Sequence, residues 1–149
     1  MTRAFAVFTA ALTTTLMLAA PAWAQTSPVG LWKTIDDDGK TEKSLVRIAE
    51  VGGVLTGHIE KVFDPSKQDA KCDLCKDDRK DKPVVGLQIL RGVKQDGDDK
   101  ALWTGGEILD PNNGKTYRTR LKPVEGGRKL EMRGYVGFFY RTQIWVRVE

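Results

Sequence analysis

Histidine occurs once in the 149 residues and cysteine twice, and that scarcity excludes much of catalytic chemistry. His58 alone makes no metal-binding cluster. Two thiols and one imidazole fall one ligand short of a structural zinc site. Neither a Gly-x-Ser-x-Gly elbow nor a glycine-rich phosphate loop leading into a helix occurs. Beyond residue 25 there is no apolar run long enough to span a membrane as a helix, and no stretch keeps a helical period over three turns. Basic residues do not gather either. The 24 lysines and arginines are interleaved with 20 acids, a mixed surface and not the basic face of a nucleic-acid binder. With no acid–base, nucleophile or metal constellation and no cofactor motif, an enzyme is the least supported class.

What is present begins with an address. Arg3 precedes an apolar run from Ala4 to Ala20, and Ala22-Trp23-Ala24 has the small-x-small form of a cleavage site. This predicts a signal peptide over residues 1–24, cut between Ala24 and Gln25, and export to the periplasm or beyond. Residues 25–149 then form a single domain large enough for one core. In an oxidising compartment Cys72 and Cys75 are expected to pair. A thiol-redox role would need this Cys-x-x-Cys at a helix start in a βαβ setting, and nothing parallel surrounds it.

Short β-like runs separated by turn residues dominate the rest. Eight are expected, over residues 29–35, 43–50, 54–63, 84–93, 100–109, 115–122, 128–135 and 138–148. Asp36-Asp37-Asp38-Gly39 lacks the spacing and terminal glutamate of a calcium loop and reads as a hairpin turn. Short links force antiparallel neighbours, and closure removes the exposed edges of such a sheet. The expected fold is therefore all-β, an eight-stranded antiparallel up-and-down barrel. Its first and last strands would meet, bringing Gly30 and Trp32 beside Trp145 and Arg147, with the guanidinium over the Trp32 indole.

Alternation assigns the interior. Leu55 and Ile59 face inward and His58 outward; Tyr117, Thr119 and Leu121 face inward, as do Leu130 and Met132. Glu107 shares parity with Trp103, Gly105 and Leu109, so it is either a buried carboxylate needing a partner or ordinary surface. In the last strand Ile144, Val146 and Val148 are expected inside, with Trp145 shielding the barrel from outside. The opposite parity would put Arg141 and Gln143 in a partly polar cavity, where Arg141 could neutralise an anionic head group. Residues 64–82, with six acids and six bases, form a long loop carrying Cys72 and Cys75. It is either a solvated surface loop held by its disulfide or a cover over one barrel end.

Gly30-x-Trp32 with a late Arg147 resembles the signature of calycins, the superfamily of lipocalins and fatty-acid-binding proteins. Across residues 25–149 the chain also resembles a family of small secreted bacterial proteins designated domain of unknown function 2147. The matching residues are Gly30-Leu31-Trp32-Lys33-Thr34, Cys72-x-x-Cys75, Gly86-Leu87-x-Ile89-Leu90, Trp103-x-Gly105-Gly106-x-Ile108-Leu109-Asp110-Pro111, Gly114-Lys115-x-Tyr117, Arg133-Gly134-Tyr135 and Arg141-Thr142-Gln143-x-Trp145. The resemblance implies a lipocalin-like barrel in an envelope or secreted setting and carries no activity with it. The expected function is capture of a small apolar or amphipathic molecule in the barrel, beneath the loop of Cys72 and Cys75. Leu55, Ile59, Trp103, Tyr117, Leu130, Met132 and Ile144 are the candidate lining, and Glu107 and Arg141 the candidate polar anchors. The competing expectation is an envelope protein–protein interaction module whose barrel is packed solid.

Overall fold

The computed structural model describes residues 27–149. The expected signal peptide and its cleavage point lie outside the described residues. Eight strands follow one another: β1 (Gly30–Ile35), β2 (Glu42–Val51), β3 (Val54–Val62), β4 (Gln88–Gln95), β5 (Trp103–Asp110), β6 (Lys115–Val124), β7 (Lys129–Val136) and β8 (Phe139–Arg147). Each pairs antiparallel with the next, and β8 returns to β1 to close the barrel. The expected eight-stranded up-and-down fold is the fold observed. The fifth strand starts at Trp103, three residues later than expected, because the Asp96 carboxylate accepts from the amides of Asp98 and Asp99 and holds that segment in a turn.

Alternation explains most of the wall. In β6, Tyr117, Thr119 and Leu121 turn inward while Arg118, Arg120 and Lys122 turn outward. One end of the barrel is filled solid. Trp32, Val46, Ile48, Leu55, Leu90, Val93, Leu121 and Leu130 are buried there almost completely, with Trp103 beside them.

The seam between β1 and β8 contains only two residue pairs, Trp32 with Arg147 and Lys33 with Val146. Arg147 reinforces it. Its guanidinium lies 4.1 Å from the Trp32 ring centroid. It also donates to three backbone carbonyls, those of Gly127 (2.5 Å), Val29 (2.8 Å) and Ser27 (2.7 Å). The Trp32 indole N–H is spent locally on the Pro28 carbonyl at 2.7 Å.

The open parity of β5 resolves with Glu107 outward, and the expected parity of β8 fails. In β5, four residues from Trp103 to Gly106 oppose three from Leu121 to Thr119, so one extra residue is accommodated at Gly105, where φ is 80°. Beyond this bulge Gly106 and Ile108 face in and Glu107 faces out. In β8 the inward set is Gln143 and Trp145, while Ile144 stands 39% exposed on the outer wall. Clean alternation favours the aliphatic residues for the interior. The indole wins it because Trp145 pairs with the buried Leu130 and packs as the top of the filled end.

Candidate functional site

Above that filled end the barrel is hollow. A cavity of about 450 Å³ opens between the β1–β2 turn, the β5–β6 turn and the β7–β8 hairpin. Its lower walls are apolar: Ile59 from β3, Ile89 from β4, Ile108 from β5, Met132 from β7 and Trp145 from β8. Its upper wall and rim are polar and linked. The Trp145 indole N–H donates to Gln143 Oε1 at 3.2 Å, and Gln143 Nε2 donates to Asp37 Oδ1 at 3.0 Å. Arg141 meets the other Asp37 oxygen at 2.8 Å. Lys43 lies 3.2 Å from Asp36, whose carboxyl is held below its ordinary pKa first by the Asp37 amide and then by Lys43. Thr34 and Ser44 share a hydroxyl–hydroxyl bond of 2.8 Å on the same wall.

The candidate lining residues divide three ways. Ile59, Tyr117 and Met132 face the cavity. Leu55, Trp103 and Leu130 are buried below it, in the filled end. Ile144 is outside. Of the candidate anchors, Arg141 stands at the mouth with its side chain 70% exposed. Glu107 is on the outer wall and reaches Arg79 at 3.0 Å. His58 is exposed on the outer face, where it pairs with Arg47 of β2. Ile89, Ile108 and Asp37 are site residues that sequence reasoning misses. Ile89 and Ile108 follow irregularities in register, and Asp37 reaches the site only when the barrel closes.

The long loop does not cover the mouth. It packs against the outside of β3, β4 and β5, where Gly86 N–H donates to the Ile59 carbonyl and Ile59 N–H donates to Leu87. Cys72 and Cys75 form a disulfide and are buried with Leu87 and Leu109. Arg79 is the loop's anchor, only 2% exposed, and donates to Asp77, Glu107 and the Gln88 carbonyl. A second clamp joins Asp78 to Arg91 with two bonds of 2.9 and 2.8 Å. Both clamps fix the loop to the wall. Ligand capture beneath this loop is therefore not what the geometry offers, because the opening lies at the turns instead.

The Arg79 side chain, and then its backbone N–H, hold the Asp77 carboxyl down to about 2. A carboxylate depressed on folding contributes stability above its unfolded pKa of about 3.8 and loses it as pH falls toward about 2. Pepsin is therefore expected to begin cutting within residues 70–82 as pH drops through that window, before the far-ultraviolet circular dichroism of the barrel changes. In Asp77→Asn the cutting should no longer follow that titration. An identical pH profile for the two proteins would refute the assignment.

Among the described residues no group of three or more His, Cys, Asp or Glu stands close enough together to hold a metal, and no helix is long and apolar enough to cross a membrane. Residues 30–147 match the family described as "Uncharacterized protein conserved in bacteria (DUF2147)". The chain belongs to that family. This DUF2147 chain also superposes on protein HP1028 of Helicobacter pylori, which is described as belonging to the lipocalin family, with a TM-score of 0.70. The match covers 83% of this chain and 84% of that one at 23% identity, a likeness of fold. No curated protein matches the DUF2147 chain.

Proposed function

We propose that this protein is exported and binds a small amphipathic molecule, apolar body down and polar head at the mouth. One observation carries the reading: the barrel is plugged at one end and hollow at the other. A cavity of about 450 Å³ lies within the ordinary range for small-molecule sites, and an apolar base with a few polar groups at the opening is their usual chemistry. A solid interaction module would have no reason to leave that volume empty. The buried disulfide fits an oxidising compartment. At the rim, Asp37 already occupies Arg141, so an anionic head would take the guanidinium by replacing that carboxylate.

Gly134 supplies the test. It lines the cavity, and a Cβ added there meets only Tyr117, at an ordinary 3.6 Å. Leucine at this position would project into the hollow without straining the backbone. Gly134→Leu is expected to keep or raise the melting temperature, since glycine weakens a strand interior. It should also lower the affinity for anilinonaphthalene sulfonate, an apolar ring system with an anionic head, by about tenfold or more. Arg141→Gln should weaken the same probe severalfold. Unchanged probe binding in Gly134→Leu would sink the cavity reading. Native mass spectrometry of protein from its own host would identify a natural occupant.

A further inference from the structure

The tip of the β7–β8 hairpin is the least explained surface of the molecule. Val136 pairs with Phe139 across a two-residue turn of Gly137 and Phe138, with Gly137 at φ 57°. Phe138 is fully exposed, Phe139 80%, Val136 60% and Tyr140 58%. One exposed phenylalanine needs no account. Two in succession on a projecting turn, flanked by a valine and a tyrosine, form a contiguous apolar knob that folding leaves in water. Its purpose therefore lies outside the fold.

Cations stand at its base, and Arg118 and Arg133 lie on the side away from the rim carboxylates Asp36, Asp37 and Asp110. The Arg133 guanidinium sits 4.1 Å from the Tyr140 ring centroid and Arg118 sits 5.5 Å from that of Tyr135, both on the outer wall. Arg141 lies on the inner side of the same hairpin, paired with Asp37 at 2.8 Å, so a lipid phosphate would have to replace that carboxylate. Arg133 also approaches Glu131 at 3.4 Å, a partial offset. Of the nine lysines and arginines in residues 115–149, Lys115, Arg118, Arg133 and Arg141 lie toward this end of the barrel, whereas Lys122, Arg128, Lys129 and Arg147 lie at the filled end.

We propose that the hairpin tip is a membrane-docking element. Phe138 and Phe139 enter the interfacial zone of an anionic bilayer while arginines at the tip's base meet its phosphates. Aromatic side chains partition to that zone, and adjacent cations add attraction to anionic lipid. A folded partner protein fits less well. The knob is convex and offers four residues, far short of the roughly 800 Å² per partner that a stable protein interface buries. Position favours the bilayer too. Val136, Phe139 and Tyr140 also line the cavity mouth, so insertion would set the opening against the lipid surface. Docking does not depend on the cavity being occupied.

The test uses the protein lacking residues 1–24 with vesicles of mixed phosphatidylglycerol and phosphatidylcholine, and with phosphatidylcholine alone. The wild-type protein should co-sediment with the anionic vesicles, and raised salt should weaken the association. Phe138→Ser/Phe139→Ser is expected to lower the partition coefficient about tenfold or more with no change in melting temperature, because both side chains are exposed. In Phe138→Trp, difference spectra against wild type should show a blue shift on those vesicles from the added indole alone. The proposal fails if wild-type protein stays in solution, if the serine pair leaves partitioning unchanged, or if the indole added by Phe138→Trp keeps the emission it has in water. A protein partner captured through the tip in the absence of vesicle binding would overturn it as well.

Discussion

Replacing Arg147 with alanine is expected to lower the stability of the barrel by about 3 kcal/mol, read from chemical denaturation. Three carbonyls, those of Ser27, Val29 and Gly127, take their donors from this one guanidinium, and the Trp32 face is covered by it. A charge-assisted bond of this kind contributes about 1.5–3 kcal/mol, and a cation–π contact about 0.5–2 kcal/mol. The sum is discounted here because water can reach part of the vacated site. The seam has little else to lean on. Apart from its two strand pairs there are terminal bonds from Leu31 N–H to Glu149 and from Val148 N–H to Leu31, both 2.8 Å. Arg147→Lys should recover less than half the loss, since the three carbonyls are met by three separate nitrogens of the guanidinium, whereas an ammonium carries its three donors on one atom and cannot span them. A loss below about 1 kcal/mol in Arg147→Ala would mean the carbonyls are satisfied by solvent and the seam does not rest on this residue.

Gly106→Ala should be more damaging still. A Cβ at Gly106 would strike the Arg91 carbonyl oxygen and stand 2.6 Å from the Val93 amide nitrogen and 2.5 Å from Val93 Cγ2. Two of these three atoms are backbone, so β4 and β5 would have to separate to admit it. The expected cost exceeds about 3 kcal/mol, the upper end for a single overpacked methyl, and little folded protein should be recovered. Gly105→Ala is the control. Its φ of 80° is unfavourable to alanine, but nothing lies within 4 Å of the added Cβ. That strain costs about 1–2 kcal/mol and should leave a folded protein. Equal behaviour of the two variants would show that backbone conformation, and not close approach, governs this corner.

The regular part of the fold was legible because it is made by local rules. Turn residues marked the strand ends, alternation set most of the wall, and an even number of strands brought Trp32 to Arg147. What local rules could not give was a change of parity. A single extra residue at Gly105 turned Glu107 outward and Ile108 inward. The last strand carries apolar side chains on both faces, so alternation had no means of choosing Trp145 over Ile144. The loop was opaque for a different reason. It is fixed by Arg79, and a buried arginine neutralised by Asp77 and Glu107 looks in sequence like any surface charge. The cavity mouth was harder again, since Asp37 and Gln143 are 106 residues apart and become neighbours only at closure.

The division of the barrel into a filled end and a hollow end has an evolutionary consequence. Most of the tightest packing, at Trp32, Leu55, Leu90 and Leu130, lies away from the cavity walls. Exchange among aliphatic residues at Ile59, Ile89, Ile108 or Met132 therefore alters the shape of the hollow more than it alters the fold. A lineage carrying this architecture can drift in what its mouth admits while the filled end keeps the chain folded.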